Sequence, residues 1–417
     1  MATAEWKPAK LDQLGFVGRG KSRHRPRNAS FLYGGRYPFF QTGDIKAANF
    51  HLTEYSQTYS EEGLAQSKLW KPGTLCITIA ANIAESAILG IEGCFPDSVV
   101  GFVADPDKAD VRFIKYYMEI LKLQMQSVSR GTTQDNLSVD KLLSFDFLVP
   151  PLPVQRRIAG ILSTYDDLME NSQRRIRLLE AMARALYRQW FVHFRFPGHE
   201  KLPRVASPLG DIPQGWEATT LGAHLAALES GKRPKGGIRE EAEGVPSIGA
   251  ENINGIGRHE FASEKLVPRE FFEQMRKGVV RDRDVAIYKD GAYIGKSSYF
   301  RDGFPHSECC VNEHVFLLRA NGVRLRQNAL YIWLQEPDTV QTIRSKNANA
   351  AQPGINQQTV GGLELILPDE KTAAHFDRLV EPLLAEIINL SKRIQNLRRT
   401  RDLLLPRLLS GQVELKT

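Results

Sequence analysis

The chain has 417 residues, of which 42% are hydrophobic and 25% charged, values typical of a globular protein. At ~100–200 residues per domain this length accommodates several domains. No run of 18 apolar residues is present, residues 1–14 lack a secretory signal, and the four cysteines form no CxxC pair. We therefore expect a cytoplasmic protein that does not span a membrane. The formal net charge of +7 favours a polyanionic partner.

Residues 1–150 are predicted to form the first globular domain. They contain short β-like runs, such as Thr74–Ile79 and Val99–Val103, and one helical candidate, Val111–Gln126. Short apolar runs punctuated by Gly, Asp and Pro are typical of a compact α+β domain.

Residues 151–196 are predicted to form a long helix, because apolar residues recur at alternating steps of four and three. This average period of 3.5 is that of a left-handed coiled coil. Ser172 interrupts the stripe. The residues that we expect to form its helix–helix contact are Ile158, Leu162, Tyr165, Met169, Ile176, Leu179 and Leu186.

A linker is predicted at 197–215, followed by a second α+β domain at 216–367 and a second long helix at 368–412. The second helix repeats the stripe, with Arg401 as its interruption, and Pro382 predicts a kink or an early end of a first helical piece. The corresponding contact residues are Phe376, Val380, Leu383, Ile387, Ile394, Leu397 and Leu404.

The two halves are predicted to be an internal duplication. Trp6-x4-Leu11 recurs as Trp216-x4-Leu221, and Phe145–Pro150 recurs as Leu363–Pro368. The matches keep a common order, which predicts a pseudo-twofold repeat: two tandem α+β domains separated by two long helices that pair as an antiparallel coiled coil. The alternative is that each stripe belongs to an ordinary core helix.

Motifs for chemistry are incomplete, so we predict no catalytic residue, metal ligand or cofactor site in this chain. Gly15–Ser22 matches the P-loop pattern but no core strand precedes it and no apolar helix follows it. Asp338 and Asp369 could suggest a nuclease, yet Asp369 stands where a helix N-cap is expected. The nine histidines lack ligand spacing.

Two basic stretches at matching places in the halves predict contacts with a nucleic acid. No acidic residue occurs between Gln13 and Gly43, and the aromatic residues Tyr33, Tyr37, Phe39 and Phe40 lie in the same stretch. Arg130 and Lys346 lie beside loops that serve equally well as turns closing each domain. A solvated surface remains the alternative for every cluster. The candidate DNA-binding residues are Arg19, Lys21, Arg23, Arg25, Arg27, Arg36, Arg130, Lys232, Arg233, Lys235, Arg239 and Lys346.

Four stretches, taken in order, resemble the specificity (S, HsdS) subunit of type I restriction–modification systems. They are Gly131–Ser138 continuing into Phe147–Gln155, then Gln189–Phe194, Pro208–Trp216 and Leu403–Gly411.

The resemblance implies that each α+β segment is a target recognition domain reading one half of a bipartite, asymmetric site in double-stranded DNA. It further implies that the helices set the spacing and dock two modification (M) subunits. Those partners would use S-adenosylmethionine to methylate adenine, while restriction (R) subunits would use ATP and Mg. Without the resemblance, the residues leave open a coiled-coil scaffold with two repeated protein-binding domains.

Overall fold

The computed structural model describes residues 6–48, 50–130, 137–234, 243–346 and 354–413, with backbone only at 129 and 130. The helices within these ranges are α1 (Thr42–Ala47), α2 (Glu61–Ala65), α3 (Val111–Arg130), α4 (Val139–Ser144), α5 (Leu152–Tyr187), α6 (Arg269–Glu273), α7 (Gln327–Leu334), α8 (Pro337–Ser345), α9 (Gln357–Gly361) and α10 (Glu370–Leu409). The strands are β1 (Lys7–Ala9), β2 (Gly15–Arg19), β3 (Tyr33–Phe39), β4 (His51–Leu52), β5 (Gln57–Tyr59), β6 (Leu75–Thr78), β7 (Ser86–Leu89), β8 (Val99–Ala104), β9 (Phe147–Val149), β10 (Arg204–Ser207), β11 (Gly210–Pro213), β12 (Glu217–Thr220), β13 (Leu225–Ser230), β14 (Val245–Ile248), β15 (Lys265–Val267), β16 (Val285–Tyr288), β17 (Ser297–Tyr299), β18 (Cys310–Val311), β19 (Val315–Ala320) and β20 (Glu364–Leu367). The protein is thus mixed helix and strand, as predicted.

The chain divides into two units, and each unit contains one globular part and a portion of both long helices. Unit 1 comprises Met1–Glu170 and Asn396–Thr417, and unit 2 comprises Asn171–Gln395. The long helices α5 and α10 therefore contribute to both cores. Among the described residues, no helix combines the length and apolarity needed to cross a bilayer.

Unit 1 is built around a five-stranded sheet of order β2-β8-β6-β7-β4. Neighbouring strands are antiparallel except β4, which runs parallel to β7. The apolar runs at β6, β7 and the start of β8 are buried because they occupy the middle of the sheet. Helix α3 contributes Phe113 and Met118 to the core that also contains Phe102 of β8.

Unit 2 contains a four-stranded antiparallel sheet of order β13-β19-β16-β17. This order matches β2-β8-β6-β7 of unit 1, strand for strand along the chain. A second sheet pairs β14 with β15 and β18. Helix α7 follows the main sheet of unit 2 along the chain and is followed by α8, and the predicted linker 197–215 contains the hairpin β10–β11.

A short antiparallel ladder joins the two ends of each globular part. Lys7 of β1 pairs with Val149 of β9, and Glu217 of β12 pairs with Leu367 of β20. The repeated motifs Phe145–Pro150 and Leu363–Pro368 therefore contain the strand that leads directly into each long helix.

The long helices lie within the segments 151–196 and 368–412. Helix α5 has 36 residues and continues into a π-helical turn at Arg188–Val192, and α10 has 40 residues. The backbone N–H of Thr372 donates to the Asp369 carboxylate over 3.0 Å, which confirms Asp369 as the N-cap. Helix α10 continues through Pro382, so the expected early end is wrong; proline removes only one backbone donor from a helix held by many others.

Residues of α5 and α10 pack together inside each unit. In unit 1, Leu162 of α5 and Leu408 of α10 share a core. In unit 2, Trp190 lies 5.6 Å from Phe376 between ring centroids, and Arg175 bridges Glu386 over 2.7 Å. Later residues of α5 and its π-helical turn thus meet earlier residues of α10, which is antiparallel pairing in unit 2.

The predicted helix–helix residues are buried or half-buried throughout. Those that are buried are Ile158, Leu162, Met169, Ile176, Phe376, Val380 and Ile387. Those that are half-buried are Tyr165, Leu179, Leu186, Leu383, Ile394, Leu397 and Leu404.

Candidate nucleic-acid interface

Each basic stretch begins where the first strand of the main sheet ends. In unit 1 the chain leaves β2 at Arg19, and in unit 2 it leaves β13 at Ser230. A glycine follows in both cases, Gly20 and Gly231, and both glycines are buried. The start of each basic stretch is therefore held against the body of its domain.

The two glycines are required by close backbone contact. A Cβ on Gly20 would lie 2.3 Å from the carbonyl oxygen of Pro96, and one on Gly231 would lie 1.5 Å from that of Val311. Gly20 also donates its N–H to the Val99 carbonyl over 2.8 Å. Because no larger residue fits without a shift, the glycine determines how closely the basic segment follows the neighbouring strand.

Two of the six predicted cations of the first basic stretch are paired with acidic residues. Arg27 donates to both carboxylate oxygens of Asp97 at 2.9 Å. Arg36 bridges Glu61 over 3.0 Å, and its pKa is raised by the Tyr37 hydroxyl first and by Glu61. These arginines are less suited to phosphate contacts than predicted, because a carboxylate already balances their charge.

The other four predicted cations of this stretch are exposed and have no carboxylate partner in the described part of the chain. Arg19 donates to the backbone carbonyl of Asp97 over 2.8 Å, and Arg25 donates to the carbonyls of Ser22 and His24. Neither contact changes the net charge. With Lys21 and Arg23, these residues form what we call the first basic loop: Arg19, Lys21, Arg23 and Arg25.

The aromatic residues of this stretch serve mainly the core. Phe39 and Phe40 are buried, and Phe39 stacks on Tyr59 with 4.0 Å between centroids, so neither can stack on a base. Sequence reasoning missed Lys68, whose Nζ lies 3.6 Å from the centroid of Trp70. Burial, and secondly the charge of Lys21, lowers the pKa of Lys68, which indicates that both cations face the same region.

The second basic stretch is described only in part. Lys232 is exposed and has no partner among the described residues, whereas Arg233 bridges Glu313 over 2.7 Å. The predicted residues Lys235 and Arg239 lie outside the described residues.

A cleft of about 360 Å³ lies beside Arg233 in unit 2. Its lining combines cationic, acidic and hydroxyl groups, and His314 of this lining contacts Asp290 over 2.7 Å. Its wall includes Arg233, Ser263 and Lys265. The cleft has the mixed polar character of a site that hydrogen-bonds a ligand, but its charge is less uniformly positive than that of the first basic loop.

The side chain of Arg130 lies outside the described residues, and Lys346 is exposed at the end of α8. The chain returns to the sheet at matching places after both loops: Leu137 donates to the Ile79 carbonyl over 2.8 Å, and Ile355 donates to the Lys289 carbonyl over 2.9 Å. DNA contact and domain closure therefore both stay open as predictions for Arg130 and Lys346.

Three side chains from two segments of unit 2 were not anticipated as a group. His259, Glu264 and His306 bring their possible ligand atoms within 4.8 Å of one another. Sequence spacing gave no signal for this group, because His306 comes from a different loop than the other two residues.

Comparisons with known proteins agree with the resemblance noted in the sequence. Residues 3–181 match a family model described as the type I restriction modification DNA specificity domain. The MjaIX specificity subunit of Methanocaldococcus jannaschii is 21% identical over 425 residues, covering 99% of this chain and 94% of that protein. The HindI specificity subunit of Haemophilus influenzae is 22% identical over 492 residues, covering 98% of this chain and 100% of that protein.

A solved structure is similar in fold over the whole chain. The crystal structure of a type I restriction–modification S subunit from M. genitalium gives a TM-score of 0.59 with 15% identity, covering 100% of this chain and 98% of that one. At this level of identity the similarity concerns the fold alone.

Proposed function

We propose that this chain is a type I restriction–modification specificity subunit, the subunit that recognises DNA sequence within such a complex. In this proposal each repeated domain reads one half of a bipartite, asymmetric site. Helices α5 and α10 form an antiparallel coiled coil that sets the spacing between the halves and docks two modification subunits. The comparisons do not favour the alternative of a protein-binding scaffold.

The observation that carries the proposal is the repeated placement of positive charge. Both basic stretches follow the first strand of the same four-strand order, after a glycine that packs on neighbouring backbone. A single charged loop is commonly a solvated surface, but the same placement in two domains with the same strand order favours a shared ligand. Arginine and lysine side chains on such loops suit phosphate oxygens, and they position the protein on the duplex while other side chains read base edges.

We also propose that the chain itself is non-catalytic and that partner subunits carry the cofactors. S-adenosylmethionine is then bound by the modification subunits, and ATP with Mg by restriction subunits. These two cysteines are poorly suited to act as nucleophiles, because burial raises the pKa of Cys94 and Cys310 to about 11. A nucleophilic thiol needs a lowered pKa. All four cysteines are buried and unpaired, which fits the proposed cytoplasmic location.

The proposal is tested first by mapping methylated adenines in DNA from cells that produce this chain with its modification partners. We expect two short specified sequences separated by an unspecified gap of constant length. A continuous target without a gap would contradict the reading of one half-site by each domain.

Binding of that DNA by the assembled complex is then measured by fluorescence anisotropy at increasing salt. Affinity is expected to fall by orders of magnitude between low and high salt, since phosphate contacts release counterions. Replacing Arg23 and Arg25 by alanine should weaken binding on all sequences and reduce the slope of log K against log salt by about 2, at ~0.9 per phosphate contact.

The matched control replaces Arg27 and Arg36 by alanine. Because Asp97 and Glu61 already balance the charges of these arginines, this variant should change DNA binding only slightly. A flat salt response would favour the scaffold alternative. Equal losses in the two double variants would remove the first basic loop from the interface.

A further inference from the structure

The group of His259, Glu264 and His306 in unit 2 is the strongest arrangement that DNA recognition does not explain. The Nε2 atoms of both histidines contact the same carboxylate oxygen, Oε1 of Glu264. His259 and Glu264 flank the short turn Phe261–Ser263, and His306 lies in the loop between β17 and β18. Two imidazole nitrogens and one carboxylate oxygen therefore converge from two loops on one point.

The spacing of these atoms is compatible with a transition-metal ion. In a tetrahedral zinc site with bonds of about 2.0–2.2 Å, neighbouring ligand atoms lie ~3.4 Å apart. The three possible ligand atoms already lie within 4.8 Å of one another. The three atoms are thus close enough to share one ion once the two imidazoles move apart from the Glu264 oxygen to the ligand spacing.

The surroundings limit access of water to the group but leave one side open. The His259 side chain is 1% exposed, that of Glu264 16%, and that of His306 26%. Phe261 contacts both imidazoles, with centroids 4.6 Å from His259 and 5.7 Å from His306. A partly apolar wall strengthens ligand–metal attraction, and the exposure on the His306 side provides room for a water as a further ligand.

We propose that His259, Glu264 and His306 bind one divalent transition-metal ion per chain, with water completing the coordination. Imidazole and carboxylate ligands in a four-coordinate arrangement suit zinc, whereas magnesium prefers a shell made only of oxygen. The ion joins the segment that carries Ser263 and Lys265 to the loop that carries His306. Because Ser263 and Lys265 line the cleft beside Arg233, the metal stabilises one wall of that cleft.

If hydrogen bonds alone hold His259, Glu264 and His306 together, a different result is expected. Neutral histidines could both donate from Nε2–H to Glu264, and such a group would satisfy its polar atoms without an ion. Metal titration separates the two cases, because only the ion-binding group discriminates zinc from magnesium.

The experiment uses the full chain, treated with EDTA and desalted. Zinc binding is followed by isothermal titration calorimetry, metal content by elemental analysis, and cobalt binding by visible absorption. We expect one zinc per chain with a dissociation constant in the micromolar range or tighter, the visible bands of a four-coordinate cobalt site, and a rise of several degrees in Tm with excess zinc. Magnesium should produce none of these effects.

Two variants and one control complete the test. His306→Ala and Glu264→Gln should each weaken zinc binding at least ~100-fold, and the partly exposed His306 is the position whose replacement leaves folding most intact, as circular dichroism will verify. His51→Ala is the matched control, because His51 contacts a single glutamate, Glu170, over 3.3 Å in unit 1. Absence of zinc binding, binding that both variants retain, or an equal loss in His51→Ala would each overturn the proposal.

Discussion

Each unit holds a long helix to its globular part through a carboxylate, and the two carboxylates have opposite pKa shifts. In unit 1, Asp166 of α5 has a fully buried side chain that contacts Arg401 of α10 and the hydroxyl of Tyr116 of α3. Burial raises the pKa of Asp166, and the opposing effects of Arg401 and Tyr116 do not cancel it.

In unit 2, Glu381 of α10 is partly exposed and accepts more hydrogen bonds. Arg301 and Arg283 each donate to it over 2.7 Å, and Asn328 donates over 2.8 Å. Burial would raise the pKa of Glu381, but these three donors outweigh it and lower that pKa to about 2.

Burial alone therefore does not decide whether the pKa of a carboxylate that attaches a long helix is raised or lowered. A carboxylate with one cationic partner inside a core is penalised by desolvation, whereas one with two arginines and an amide at the edge of a core is stabilised in its charged form. The repeats thus share a strand order while using different chemistry to attach their helices.

The largest difference in the free energy of unfolding between equivalent positions of the two long helices is expected when an apolar stripe residue is replaced by aspartate. Ile176 is only 6% exposed, whereas its counterpart Ile394 is half-buried. Ile176→Asp should lower the free energy of unfolding by about 3 kcal/mol or more, because the charge has no partner in the core, and Ile394→Asp should lower it by about half as much. Denaturant unfolding measures both values. Arg174→Asp, at an exposed position of α5, is the control, and equal small effects at all three positions would show that the stripes face solvent.

A somewhat smaller difference in the free energy of unfolding is expected when Gly20 and Gly231 are each replaced by alanine. Gly231→Ala places a Cβ 1.5 Å from a carbonyl oxygen and should cost about 2–3 kcal/mol, while Gly20→Ala, at 2.3 Å, should cost about 1–2 kcal/mol. Thermal unfolding reports both losses. Gly43→Ala meets nothing within 4 Å inside α1 and should leave Tm unchanged or raise it. A harmless Gly231→Ala would disprove the close approach in unit 2.

The smallest effect is expected when each of the two carboxylates is replaced by its neutral amide and Tm is measured as a function of pH. This experiment is the most specific test of the difference between Glu381 and Asp166. Since the folded pKa of Glu381 is about 2, below its ordinary value of 4.5, its contribution is complete above that ordinary value and is lost as the pH falls towards 2. Glu381→Gln should therefore cost about 1–2 kcal/mol at neutral pH, after allowance for partial exposure, and should reduce the acid sensitivity of Tm.

Asp166→Asn is the matched variant and should behave differently. The folded pKa of Asp166 is raised, so its charged form opposes folding above that pKa and the opposition disappears as the pH falls. The neutral amide removes this cost while it leaves Arg401 its contact with Asp402 over 2.8 Å, and the loss of Tm at neutral pH should be smaller than for Glu381→Gln. The reverse order of the two variants would contradict the comparison.

The apolar stripes were readable from the sequence because a helix brings residues three and four positions apart onto one face, whatever the rest of the chain does. In the sequence, Arg401 could be identified only as a charged residue that interrupts the apolar stripe of the second long helix. In the structure it is the partner of the buried Asp166, a contact between residues on two different helices. The charge on Arg27 and Arg36 was equally visible, whereas their neutralisation by Asp97 and Glu61 depends on segments that the fold brings together.

The amino-acid sequence by itself determined the duplicated order of motifs, the two periodic helices, the Asp369 cap and the position of the basic stretches, because each depends on neighbours along the chain. Only the tertiary structure decided which cations have carboxylate partners, why Gly20 and Gly231 are needed, and that His259, Glu264 and His306 meet. The physical reason is that charge balance, close packing and ligand geometry are set by distances in space between segments whose separation in sequence carries no comparable signal.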